Sequence, residues 1–311
     1  MGNYAFGLDL GGTTCKVGLF ETSGKLIEKW EVPTDTSNGG ANILKGLADA
    51  VLGKMKEKNL SADEVEGVGI GVPGPVDMDG VVNKCVNLGW GVTPVEKELS
   101  SLTGLKVKAG NDANVAALGE AWMGAGKNFR SIVMLTLGTG IGGGVVIDGK
   151  VLAGAHGAAG EVGHITVDKT ETEVCGCGRR GCIEQYASAT GFARLAKRAV
   201  AKNLMKSRLG GVDNITAKDV FDFAKDGDEL SLKVIDEACE LLTTAMASIA
   251  EVVDPEAFVI GGGVSKAGSI LIDSLKEKYP NKVFHACTKC DILTATLGND
   301  AGMYGAVKLL L

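Results

Sequence analysis

Cys175, Cys177 and Cys182 fall within eight residues of one another in CGCGRRGC, and His164 precedes them in GEVGH. The spacing H-x10-C-x-C-x4-C offers one nitrogen and three sulfur donors, the number that a closed tetrahedral zinc site takes. Gly176, Gly178 and Gly181 let such a loop fold tightly. A disulfide and a regulatory thiol are the competing chemistries, although Cys175 and Cys177 are awkwardly close for an unstrained bridge. Glu161 lies three residues before His164, and Glu184 lies two after Cys182. A metal bound by His164 and Cys182 would tether both carboxylates to one rigid knot, as acceptors for a ligand rich in hydroxyls.

A second constellation is GNDANVAALGEAWMG, where Asn111 and Asp112 stand between a strand and a helix. A carboxylate at a helix N-terminus stays ionised and suits a general base for an attacking hydroxyl. Asn111 can donate to and accept from vicinal hydroxyls. The plainer reading is that either residue caps the helix. GNDAG recurs at 298–302, so local spacing does not say which aspartate does chemistry.

Two glycine turns complete the set. GTGIGG (138–143) has the G-x-G-x-x-G spacing of a dinucleotide loop, but strand-like VVIDGKVL follows where that motif needs a helix. GAGKN (124–128) lacks the early glycine and the Ser or Thr of a Walker A loop. What remains is a pair of hairpin turns, DLGGTT (9–14) and LGTGIGGG (137–144). Their backbone amides, with Thr13, Thr14 and Thr139, can line an anion site, and Asp9 can hold Mg2+ through water. Tight turns with no ligand are the alternative.

The elements that must position these residues are legible as apolar periodicity. YAFGLDL, CKVGLFE and LIEKWEV read as strands. Residues 41–58 place Ile43, Leu44, Leu47, Val51, Leu52 and Met55 on one helical face. VEGVGIGVPGPV is a strand entering a Gly-Pro turn around Gly74, and KVKAGND is a strand leading into a helix over 112–123. SIVMLTLGTGIGGGVVIDGKVL repeats the strand–turn–strand beginning of the chain. TAKD at 216–219 is a capping box. AFVIGGGVSKAG gives strand, triple glycine and helix, and AGMYGAVKLLL a last helix. Two halves that each open on a glycine-turned hairpin predict two related α/β lobes.

The chain of 311 residues is 45% apolar, 23% charged and carries a net charge of −6. With no dense basic stripe, a nucleic-acid partner is not expected. No signal peptide is visible at the N-terminus. Asp236, Glu237 and Glu240 interrupt the apolar helix over 229–253, so no membrane span is expected. Eight cysteines without such a signal suggest a reducing cytoplasm. Cys287 and Cys290 in CTKC lack a second pair and read as ordinary thiols.

GLDLGGTTCKVGLF, LTLGTGIGGG, HGAAGEVGH, CGCGRRGCIE and VIGGGVS occur in this order, and together they resemble the ROK family of repressors, open reading frames and sugar kinases. The resemblance runs from about residue 4 to 308. It implies the two-lobed actin/hexokinase/Hsp70-type (ribonuclease H-like) α/β nucleotide-binding fold, with the ligand cleft between lobes. The small lobe is expected at 1–116 plus about 298–311, and the large one, containing the cysteine loop, at about 117–297. The implied activity is ATP-dependent phosphorylation of a hexose at the 6-hydroxyl, with glucose as the expected sugar. N-acetylmannosamine, fructose or mannose are alternative substrates, and a sugar-sensing, non-catalytic ROK protein is the alternative class. ATP, with Mg2+, is implied to lie between Asp9, Gly11, Gly12, Thr13 and Thr14 on one side and Gly138, Thr139 and Gly140 on the other. Gly262 and Gly263 would lie near the adenine and ribose. Asp112 is the implied base and Asp300 a cap. Asn111, Asp112, Glu161, His164, Glu184 and the Gly74 turn are the implied sugar contacts. Structural zinc on His164, Cys175, Cys177 and Cys182 is favoured, with a homodimer or homotetramer in the cytoplasm.

Overall fold

In YAFGLDL only Tyr4 and Asp9 keep partial exposure, the pattern of an inner strand covered on both faces. It forms β1 (Tyr4–Leu10) in a computed structural model that describes residues 2–203 and 205–311. The other strands are β2 (Thr14–Glu21), β3 (Leu26–Pro33), β4 (Val65–Val72), β5 (Val81–Val82), β6 (Thr93–Pro94), β7 (Val107–Asn111), β8 (Ile132–Leu137), β9 (Ile141–Ile147), β10 (Lys150–Val151), β11 (Ala257–Gly261) and β12 (Asp291–Thr294). One sheet has the order β3-β2-β1-β4-β7 and a second the order β10-β9-β8-β11-β12, with β5 and β6 pairing apart. Each five-stranded order is a hairpin-linked run of three continued by two later strands, the repetition expected from the two glycine-turned beginnings.

The chain divides into two compact units, Met1–Ser131 with Gly144–Gly160 and Thr296–Leu311, and Ile132–Gly143 with Glu161–Ala295. In the first, β1 runs antiparallel to β2 and parallel to β4, and β4 parallel to β7. One face of this sheet buries Phe6, Leu8 and Ile70 together with Leu47 and Val51 of the helix Ile43–Lys58. The other buries Ala5 and Phe20 with Met303 and Val307 of the helix Ala301–Lys308. The register sets Asp9, Gly71 and Gly110 in one row across β1, β4 and β7. The residues that follow this row therefore leave the sheet at the carboxyl ends of parallel strands, where open α/β sheets bind ligands.

In the second unit β11 runs parallel to β8 and β12. Gly261 pairs with Thr136, so the turns after β8 and β11 also leave from one edge. The helix Glu229–Val253 buries Val234, Ile235, Ala238 and Cys239 while Asp236 and Glu237 face solvent. Among the described residues no helix is long and apolar enough to cross a membrane. Thr216 and Asp219 form the expected capping box. The triple glycine differs from expectation. A 3-10 turn, Gly263–Ala267, follows β11, and the helix begins only at Ser269.

Candidate active site and metal centre

At the carboxyl end of β7, Asn111 has extended backbone angles and caps the helix Asp112–Met123. Its Oδ1 accepts from Ala113 N at 3.1 Å and Asn114 N at 3.2 Å, while its Nδ2 donates to Gly74 O at 3.1 Å. The carbonyl is thus occupied, which leaves one amide hydrogen for a ligand rather than the donor-and-acceptor role its type permits. Asp112 is half-buried in the first helical turn, and its Oδ1 accepts from Ala113 N at 2.8 Å. The helix N-terminus favours its negative charge. The second Asn-Asp pair is built differently. Asp300 stands at the N-cap of the helix Ala301–Lys308 but makes no side-chain cap bond. Its carboxylate pairs with Lys29 at 2.7 Å, so the expected capping role for Asp300 is corrected to an ion pair with β3.

Asp9 lies beside Lys16, whose Nζ is 3.4 Å from Asp9 Oδ2 and 3.1 Å from Asn299 O. Burial pushes the Asp9 carboxyl above its ordinary value, and Lys16 acts in the opposite direction. The turn between β1 and β2 closes through Gly11 N to Thr14 O at 3.0 Å. Thr34 Oγ1 secures Gly11 O at 2.8 Å, and Gly12 and Thr13 are exposed at the tip. Asp9, Gly11, Gly12, Thr13, Thr14, Gly74, Asn111 and Asp112 all belong to the first unit.

The second unit holds the rest. Gly138 N donates to Gly140 O at 3.0 Å, and Thr190 Oγ1 holds Thr139 O at 2.7 Å. A Cβ on Gly140 would lie 2.7 Å from Glu184 Oε2, so a side chain there would displace the tip of that carboxylate. Gly262 has φ +79°, and a side chain there would strike the backbone of Leu137. Gly263 follows in the 3-10 turn.

His164 ends the 3-10 turn Val162–His164. Backbone bonds from Val167 N to Gly181 O at 2.8 Å and from Ile183 N to Ile165 O at 2.9 Å draw it onto the cysteine loop. The donor atoms of His164, Cys175, Cys177 and Cys182 all lie within 4.8 Å of one another. Cys177 Sγ is 3.6 Å from Cys182 Sγ, and Cys175 Sγ is 3.8 Å from His164 Nδ1. A tetrahedron with zinc–sulfur bonds of about 2.3 Å has sulfur–sulfur edges of roughly 3.8 Å, so the donor set fits that ion. No disulfide joins these cysteines. His164 Nε2 is directed to the other side, 3.9 Å from Glu161 Oε2. Glu184 Oε1 accepts from Cys175 Sγ at 2.9 Å, and Glu184 opens the short helix Glu184–Ala187. The six residues expected to serve metal and sugar in this unit are therefore one cluster. Cys287 and Cys290 stand apart from it, bonded to the backbone oxygens of Ala250 and Asp291.

Two structural carboxylates escaped the sequence reading. Glu120 is fully buried and accepts from the backbone amides of Ala125, Thr296 and Leu297 at 2.8–3.1 Å. Its signal is a lone charge inside the apolar helical run VAALGEAWM. Glu171 has a side chain only 2% exposed and meets Arg194, Arg198 and Tyr186.

The ROK family model matches residues 5–311. A glucokinase of Halalkalibacterium halodurans is 42% identical over 304 residues, covering 96% of this chain and 92% of that one. A glucokinase of Thermotoga maritima is 38% identical over 310 residues, with 98% and 96% covered. The solved ROK glucokinase of Streptomyces griseus, in complex with glucose and AMPPNP, superposes with a TM-score of 0.73 at 32% identity, covering 98% of each chain. These relatives carry the actin/hexokinase-type α/β fold expected from the motifs. With a family model along nearly its full length and relatives this similar over nearly theirs, the chain belongs to the ROK family.

Proposed function

We propose that the protein transfers the γ-phosphoryl group of ATP to the 6-hydroxyl of glucose, giving glucose 6-phosphate and ADP. The observation that carries this reading is the register of the first sheet. It brings Asp9 and the Asn111–Asp112 pair out at one edge, which supports a metal-binding role for Asp9 and a base role for Asp112, the pair phosphoryl transfer to an alcohol needs. The similarity to glucokinases over nearly the whole chain supports glucose as the acceptor.

Asp112 accepts the proton of the 6-hydroxyl as that oxygen attacks the γ-phosphorus. The O6–P bond forms, the bond to the β-phosphate oxygen breaks, and ADP departs with those electrons. The remaining Asn111 amide hydrogen orients the sugar. Glu161, His164 Nε2 and Glu184 accept or donate hydrogen bonds at the ring hydroxyls. The amides of the Gly11–Thr14 and Gly138–Gly140 turns hold phosphate oxygens, and Gly262 and Gly263 give the nucleoside room. Asp9 would hold Mg2+, which would supply charge neutralisation for the transferred group. His164, Cys175, Cys177 and Cys182 would hold zinc, and its role would be structural, because a Cys3His set leaves no open position.

A coupled assay with ATP and glucose, mannose, fructose or N-acetylmannosamine tests the reading. Turnover is expected to be fastest with glucose. Tight hexose binding with no phosphorylation of any sugar would instead identify a sugar sensor.

A further inference from the structure

The mechanism leaves unused the most heavily bonded carboxylate near the sugar cluster. Glu171 is buried, and Arg198 grips both its oxygens at 2.9 Å. Arg194 Nη2 bonds to Oε2, the same oxygen that lies 2.8 Å from the Tyr186 hydroxyl. Tyr186 shares its single proton with Asp168, 2.9 Å away. From Glu171 the bonding runs back to the metal loop along two short routes. Arg194 Nη1 donates to Gln185 O at 3.0 Å, and Gln185 Oε1 accepts from Cys182 N at 3.1 Å. Tyr186, held by its hydroxyl, is the third residue of the helical turn that Glu184 begins. Glu184 itself is thus fixed on its C-terminal side by two consecutive residues whose anchors converge on Glu171.

A four-residue helix has no stability of its own, since its nucleus is costly. Its orientation comes from anchors outside it: the backbone bond from Ile183 N to Ile165 O, the Ser188 hydroxyl bonded to Glu184 O at 2.6 Å, and the set gathered by Glu171. The position of Glu184 matters here, because its Oε1 lies 2.9 Å from Cys175 Sγ and 3.5 Å from His164 Nδ1, against the metal set.

We infer that Glu171 is a positioning residue for sugar recognition, which fixes the direction of the Glu184 carboxylate through Arg194–Gln185 and Tyr186. This rests on the reading of Glu184 as a sugar ligand. Glu171 touches neither sugar nor metal. Its loss loosens Glu184 while leaving the nucleotide-binding turns and the four metal donors in place. Losing a hydrogen bond between the sugar and a charged carboxylate weakens binding by about tenfold to a hundredfold.

The test compares Glu171→Gln, Arg194→Lys and Tyr186→Phe with the wild-type protein. It measures KM for glucose, KM for ATP, zinc by elemental analysis and glucose affinity by calorimetry. Glu171→Gln is expected to raise the glucose KM and weaken calorimetric binding by up to about tenfold to a hundredfold, with ATP KM and zinc content close to wild type. Arg194→Lys and Tyr186→Phe keep the buried carboxylate charged and are expected to reproduce smaller shifts of the same kind. They carry the test if Glu171→Gln does not fold. Unchanged glucose affinity in the folded variants, or an equal rise in both KM values, overturns the inference. If wild-type protein turns over no hexose, the kinase reading fails separately, and the calorimetric comparison still decides the role of Glu171.

Discussion

His164 turns Nδ1 toward Cys175, 3.8 Å from its sulfur, and so leaves Nε2 on the opposite side of the ring. One imidazole thereby belongs to the metal set through one nitrogen and remains available to a hydroxyl through the other. The orientation of a metal-bound histidine is set by what its second nitrogen meets, so the proposed metal and sugar roles of His164 predict that metal occupancy and sugar affinity are coupled.

His164→Ala is therefore expected to lose zinc and glucose binding together. A chelated wild-type protein should lose glucose affinity as well, and should regain it when zinc returns. Elemental analysis beside calorimetry checks this. Chelated, folded protein that binds glucose as before would remove the coupling.

The proposed metal site divides the cysteines into Cys175, Cys177 and Cys182, whose donor atoms cluster with His164, and the rest. Wild-type protein should carry about one zinc per chain. Cys177→Ser and Cys182→Ser should release it, while Cys287→Ser and Cys290→Ser should retain it. Loss of zinc from the Cys290 variant would move the metal site away from the 164–182 cluster.

Glu171 gives a pH signature. Hydrogen bonds from Arg198 hold its carboxyl well below the ordinary value of 4.5, against the effect of burial. A depressed folded-state pKa means the stabilisation is fully present above the unfolded value and fades as pH falls below it. The gap in melting temperature between wild type and Glu171→Gln should thus be widest near neutrality and narrow between about pH 5 and pH 3. A gap that stays constant over that range would contradict the ionised, arginine-held carboxylate.

Asn111 is both cap and cross-link. Asn111→Ala removes the two accepted amide bonds and the bond to Gly74 O, and a lost N-cap typically costs about 0.5–2 kcal/mol. Chemical denaturation should show a loss in that range together with a raised glucose KM. An unaltered midpoint would mean the cap bonds contribute nothing measurable.

What the sequence discloses is what local spacing governs. β1 and the helices Asp112–Met123 and Glu229–Val253 begin and end where their apolar periods do. The Cys3His set was legible because its members lie within nineteen positions, 164–182. Glu171 was not, because nothing in DKTETEV separates it from Glu173. Its partners Arg194 and Arg198 lie 23 and 27 positions away. Glu120 was hidden for the same reason, since its partner amides of Thr296 and Leu297 are 176 and 177 positions distant. The two Asn-Asp pairs look alike in sequence and differ in which residue stands at the N-cap and in their tertiary partners. Asn111 meets Gly74 O, whereas Asp300 meets Lys29.

The most direct measurement of the account is glucose-dependent ADP formation by wild-type protein and by Asp112→Asn, with glucose affinity measured on both. Wild type should turn over, and the variant should bind glucose comparably while losing about 10²- to 10⁴-fold in kcat, the usual contribution of a general base. Near-wild-type turnover in Asp112→Asn would contradict the assignment of Asp112 as the base.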